Sequence, residues 1–195
     1  MSIKKWRKGV LIVLFLFLVC ALGFNEEEIE YEVPLRGQVT DDSCWAASMQ
    51  MIILAYEGEE KEVSQDDIAQ AVGYSIYQST GWDAILKAIE YWGFCVYPQM
   101  CLTPDGWRQL LNEYGPLWVV RRTGPNITHA VVLRGMSGES DNPSMYVNDP
   151  LPVGKGSRKN MSYNEFEKVY EAVEEDQPGY IISILYYCYE EEEVE

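Results

Sequence analysis

The chain has 195 residues, 47% of them hydrophobic, enough for one domain of ordinary size with a real core. It carries 15 Lys and Arg against 31 Asp and Glu, a formal charge of −16. That balance argues against nucleic acid or an anionic membrane surface as partner, and it permits a cationic partner without demanding one.

The first residues stand apart. Lys4, Lys5, Arg7 and Lys8 form a basic cluster, and Gly9 to Asn25 carry no charge over 17 residues. Glu26, Glu27 and Glu28 follow at once. A basic start before an apolar run is the pattern of an export signal. Residues 1–23 are expected to be a signal peptide, with Ala21-Leu22-Gly23 as a small-x-small cleavage site, or an N-terminal anchor. In the second case residues 9–24 are a membrane tether, although the uncharged run is short for a bilayer span of about 20 residues. Both versions place the rest of the chain outside the cytoplasm. Without residues 1–23, 11 basic side chains face 31 acidic ones, a charge of −20.

Residues 24–37 are expected to be an acidic, extended lead-in to a domain over 38–189, with 190–195 a solvated acidic tail. From Ser43 to Tyr56 the apolar residues Trp45, Ala46, Met49, Ile52, Ile53 and Tyr56 recur at helical spacing, and Gly58 ends the run. Ser64 with Asp66 and Asp67 starts a helix that Gly73 stops. Trp82, Ile85, Leu86, Ile89 and Trp92 mark one face of a helix over 82–92. Phe94 to Tyr97 is a short extended link. Thr103-Pro104-Asp105 combines a cap, a first-turn proline and an acid at the positive helix end. Trp107, Leu110 and Leu111 give that helix its inner face.

The pattern then changes. Leu117 to Arg121, Ala130 to Arg134, Ser144 to Asn148 and Tyr180 to Tyr189 are rich in β-branched and aromatic residues, as strands are. A helix from Ser162 to about Val173 interrupts them, with Ser162 and Glu165 at capping-box spacing. Helices first and strands later indicate an α+β fold.

Five cysteines are present. Cys20 belongs to the export segment, which leaves Cys44, Cys95, Cys101 and Cys188. An oxidising compartment permits disulfides, and the nearness of Cys95 to Cys101 makes them a candidate pair, leaving Cys188 alone. There is no CxxC and a single histidine, His129, so the sequence implies no metal site and no cofactor. Nothing in it specifies an oligomeric state.

Three stretches carry chemistry. The first is Gln38-Val-Thr-Asp-Asp-Ser-Cys44-Trp45-Ala46-Ala47-Ser48. Cys44 falls in the first turn of an amphipathic helix, where the dipole and unpaired amides favour a thiolate. On position alone a reactive and a structural cysteine both remain open. The stretch resembles the active-site signature of papain-like cysteine proteases, in which a glutamine lies six residues before a Cys-Trp pair followed by small residues. Gln38, Cys44, Trp45, Ala46 and Ser48 match, and Asp42 departs from the usual Gly or Glu. The second stretch is Thr128-His129-Ala130-Val131-Val132-Leu133-Arg134-Gly135, a histidine opening a strand, as that family presents its base. The third is Tyr146-Val147-Asn148-Asp149-Pro150. Asn148 and Asp149 point to opposite faces of a strand, so only one can serve His129. Papain uses an asparagine. The smaller bacterial relatives, avirulence-type effector proteases and bacteriocin-leader peptidases, use an aspartate followed by proline.

The resemblance runs from about Val33 to Phe166. It implies a papain-like α+β fold, with the nucleophile helix packed on a C-terminal antiparallel sheet. It implies Cys44 as nucleophile, His129 as base, Asp149 as orienting group and Gln38 as an oxyanion donor. The activity implied is peptide-bond hydrolysis through a thioester, with a protein or peptide as substrate. The same triad serves acyl transfer and deamidation, and a papain fold can also act as a silent binding module. Trp45, Trp82 and Trp107, at helical spacing, read as core.

Overall fold

The computed structural model describes residues 28–78, 81–98, 100–125, 127–138, 141–176 and 182–188. The expected export segment and acidic tail lie outside them. Among the described residues no helix is long and apolar enough to cross a membrane.

The helix that begins at Cys44 is the centre of the molecule. This helix, α1 (Cys44–Glu57), buries Trp45 to Met49 and Met51 to Leu54, so it is apolar on nearly every side. A helix of that kind must be enclosed. Gly58, at φ +91°, ends it. Two more helices complete the layer, α2 (Gln65–Gln70) and α3 (Trp82–Trp92). Ser64 and Asp67 form a reciprocal capping box on α2, and Gly93 turns left-handed after α3. On the other side of the sheet lie α4 (Pro104–Tyr114) and α5 (Tyr163–Asp176). Thr103 Oγ1 accepts the Gly106 N–H at the start of α4, at 3.2 Å.

Between the layers runs a seven-stranded, wholly antiparallel sheet. Its strands are β1 (Ile29–Glu30), β2 (Phe94–Pro98), β3 (Leu117–Gly124), β4 (Ile127–Ser137), β5 (Ser144–Asp149), β6 (Ser157–Ser162) and β7 (Ile182–Tyr187). The order is β2-β7-β3-β4-β5-β6, with β1 paired to the far end of β4. Strand alternation divides the core. Trp118, Val120, Ala130 and Val132 pack with α1, α2 and α3. Leu117, Val119, Val131 and Leu133 pack with Trp107, Leu110 and Leu111 of α4 and with Phe166 of α5. Trp45 and Trp107 are both buried core residues. The architecture is the α+β papain-like one that the sequence implies.

Four features differ from the sequence expectations. Residues 28–37 are more than a lead-in. Ile29 and Val33 are buried, and the Tyr31 hydroxyl donates to the Leu111 carbonyl at 2.7 Å. The crossing needs Gly135, where a β-carbon would strike the Ile29 carbonyl and lie 2.9 Å from Glu30 Cα. Residues 94–98 form an edge strand, not a link. Cys95 is bonded to Cys188, not to Cys101, because β2 pairs with β7 and brings Cys188, just past the end of β7, to two rungs from Cys95. Cys101 is exposed and takes no part in that bridge. Finally, β6 was not anticipated, since Ser157 to Ser162 carries almost no apolar signal.

Candidate active site

Three chain segments meet at the start of α1. Ser43 occupies the cap position, yet its side chain does not cap the helix. Its Oγ accepts the Val39 and Thr40 amides at 3.0 Å each and lies 3.0 Å from Oε1 of the buried Gln65. The first turn of α1 holds no acidic residue. The leading amides of a helix have no partner within it, so the positive end of α1 is left facing Cys44. Cys44 itself is half-buried.

His129 enters from β4 and is buried. Its Nε2 lies 2.7 Å from Oδ1 of Asp149 at the end of β5. The Cys44 side chain lies near enough to His129 to help raise the pKa of the imidazole. With Nε2 on the carboxylate, Nδ1 is the ring nitrogen left for the thiol. Burial pulls the imidazole toward its neutral form. The hydrogen bond to Asp149 and the nearby Cys44 outweigh burial and hold its pKa above the ordinary histidine value.

Asp149 is fully buried, with four donors on its two oxygens. Oδ1 takes the His129 ring and the Leu151 N–H at 2.9 Å. Oδ2 takes Lys159 Nζ at 2.6 Å and a guanidinium nitrogen of Arg121. Burial pushes the carboxyl up, but the bonds from His129, Lys159 and the Leu151 amide prevail and leave its pKa well below the usual carboxylate range. Asn148, one residue earlier, turns the other way and donates to the Val33 carbonyl at 3.0 Å.

Gln38 is tied into the same corner. Its backbone N–H donates to the Pro150 carbonyl at 2.9 Å, and its carbonyl accepts from Gly154 at 2.7 Å. The turn after Asp149 therefore grips the segment leading to Cys44. The side chain is less simply placed. Its Nε2 meets the Thr40 carbonyl at 2.8 Å and that of Asp41 at 3.2 Å, both in the loop before Cys44. Its Oε1 is buried with no hydrogen-bond partner among the described residues.

All four residues singled out by the sequence thus lie in one corner. Arg121 and Lys159 were missed. Arg121 faces His129 directly across the β3–β4 ladder, and Lys159 comes from the unanticipated β6. Only the strand register would have revealed either. Among the described residues no group of three or more His, Cys, Asp and Glu is arranged to hold a metal ion.

A buried histidine between a helix-start cysteine and a carboxylate, on an α+β scaffold of this topology, is the arrangement of a papain-like cysteine protease. The family described as Papain-like cysteine protease AvrRpt2 matches residues 27–171, most of the chain, and the protein belongs to it. It is a cysteine protease. No curated protein gives a significant sequence match. Among solved structures the chain is similar to a C39-like peptidase from Bacillus anthracis, at 15% identity and a TM-score of 0.58, covering 85% of this chain and 99% of that one. It is also similar to digestive procathepsin L 3 of the Tenebrio molitor larval midgut, at 10% identity and a TM-score of 0.55, covering 83% and 69%. At these identities the likeness speaks to the fold.

Proposed function

We propose that the chain hydrolyses peptide bonds through a thioester acyl-enzyme carried on Cys44. The observation that carries this reading is His129, with one ring nitrogen on Asp149 at 2.7 Å and the Cys44 side chain near enough to raise its pKa. His129 takes the thiol proton, and Sγ attacks the scissile carbonyl carbon. The oxyanion is met by the Cys44 amide at the head of α1. The Gln38 amide joins it by giving up its longer contact, the one to the Asp41 carbonyl. His129 returns the proton to the amine nitrogen as the C–N bond breaks. It then takes a proton from water, which attacks the thioester and releases the acid and the free thiol. Asp149 fixes the tautomer throughout and supports the imidazolium.

The site of action is extracytoplasmic in this reading. The basic cluster and apolar run of residues 4–25 support it, as does the Cys95–Cys188 disulfide, which suits an oxidising compartment. A fusion of residues 1–30 to a reporter should be exported. Retention in the cytoplasm would overturn that part.

The chemistry is tested by peptide-library digestion with the mature chain and with Cys44→Ala. The wild type should cleave, form a thioester adduct on Cys44 visible by mass spectrometry, and give free acids as products. Cleavage by Cys44→Ala would refute the mechanism. Products that take up an added amine in preference to water would turn the reading to acyl transfer.

A further inference from the structure

The Asp149 carboxylate is shared far more widely than an orienting group requires. One bond from His129 would hold the imidazole. The structure adds the Leu151 amide on Oδ1, and Lys159 and Arg121 on Oδ2. Four donors fill the lone-pair positions of a carboxylate. The groups facing this cluster come from five elements: Cys44 from α1, Arg121 from β3, His129 from β4, Asp149 from β5 and Lys159 from β6. Leaving the Cys44–His129 pair aside, two fixed cations face one anion.

Resting on the triad reading above, we infer that Arg121 and Lys159 are positioning residues that lock the Asp149 rotamer and limit how strongly it can hold a protonated His129. The first effect is geometric. With Oδ2 pinned by two cations, the carboxylate cannot rotate, and Oδ1 stays on Nε2. Arg121 suits this role because only 13% of its side chain is exposed, directly across the ladder from His129. The second effect is electrostatic. A carboxylate already shared by two positive charges stabilises an imidazolium less than one facing it alone. His129 must release its proton to the leaving amine, so a less tightly held imidazolium is the better acid. Lys159 reaches the carboxylate from the sheet edge and keeps 41% of its side chain exposed. It can therefore be changed without opening the core.

The sign of the outcome is fixed. Removing the Lys159 charge removes repulsion from the imidazolium, so His129 should hold its proton to higher pH. Cys44 and His129 share one proton in the reactive state, and its loss sets the alkaline limb of kcat/KM, so that limb should move up in Lys159→Met, by roughly half to one pH unit after solvent screening. Lys159→Arg should restore the wild-type limb. KM should stay unchanged, since neither residue is assigned to substrate. Arg121→Gln should lower kcat more than Lys159→Met does, because the less exposed of the two partners is lost. It carries a risk of misfolding, so the decision rests on Lys159. A purely structural role would change the unfolding midpoint and leave the pH limb in place.

The experiment is the pH profile of kcat/KM for the wild type, Lys159→Met and Lys159→Arg, each checked by thermal unfolding, on a peptide selected from the library digestion. An upward shift in Lys159→Met that Lys159→Arg reverses supports the inference. An unmoved or downward limb overturns it, while loss of activity in Cys44→Ala and His129→Ala would still uphold the triad. If those two variants remain active, the triad reading fails instead.

Discussion

Gly37 lies against Lys155 so closely that a β-carbon on it would collide with the Lys155 amide nitrogen and sit 2.7 Å from the Gly154 carbonyl carbon. The neighbouring atoms are backbone and cannot swing aside. This contact clamps the Gln38 segment onto the turn that follows Asp149, so the two arms of the site share one hinge. Gly37→Ala should separate them. Overpacking of this kind costs about 1–3 kcal/mol, and kcat/KM should fall along with the unfolding free energy. Chemical denaturation and peptide hydrolysis check both. An unchanged kcat/KM in a destabilised protein would show that the clamp is not coupled to the site.

The Cys95–Cys188 bridge joins β2 to β7, on the opposite side of β3 from β5 and Asp149. It closes a loop of sequence separation 93. Replacing both cysteines by serine should lower stability by about 2–5 kcal/mol, because a long loop regains its freedom in the unfolded chain. The kcat/KM of the folded protein should be unchanged. Denaturant titration beside steady-state kinetics separates the two effects, and a fall in kcat/KM at full folding would contradict the expectation.

Most of the helical layer was readable because its signals are local. Trp82, Ile85 and Ile89 repeat at helical spacing, and Gly93 stops the run. Thr103 with Pro104 marks the start of α4 by cap chemistry alone. What failed was non-local. Ser157 to Ser162 carries no apolar alternation, because an edge strand with one exposed face has little to bury. Cys101 attracted Cys95 by nearness in sequence, whereas the register of β2 against β7 selected Cys188. The site divides the same way. Cys44, His129 and Asp149 lie in recognisable stretches, but Arg121 and Lys159 acquire meaning only once β3, β4, β5 and β6 stand side by side.

Acid should unfold the protein partly through Asp149. Its folded pKa is depressed, so its contribution is fully present above the unfolded value, about 3.9, and is lost as pH falls through the folded value. The slope in that window is at most about 1.4 kcal/mol per pH unit. Asp149→Asn should flatten this limb, and its stability should approach that of the wild type between pH 5 and pH 2. His129 acts with the opposite sign. Its raised pKa supplies stability below the ordinary histidine value, and that stability is lost as pH rises through the folded one. Unfolding free energies measured across both windows test this. An equal acid slope in Asp149→Asn would assign the acid limb to other carboxylates.

Asp149 and Asn148 offer the sharpest comparison, because adjacent strand residues face opposite sides and only Asp149 reaches His129. Asp149→Ala should leave the imidazole free to turn and the imidazolium unsupported. The loss in kcat is expected to be large, with about ten-thousandfold as the upper bound. It also removes the acceptor of the Leu151 amide and strands Arg121 and Lys159, so Asp149→Asn belongs beside it as a variant that keeps the shape. Asn148→Ala removes a buried bond to the Val33 carbonyl, which Arg158 still approaches at 3.3 Å. Its cost should appear as about 1–2 kcal/mol of stability, with kcat nearly intact. The comparison is made at equal folded fraction, judged by circular dichroism and unfolding midpoints. If Asn148→Ala cripples turnover while Asp149→Asn is nearly silent, the orienting group is the asparagine, as in papain, and the role given to the buried carboxylate is wrong.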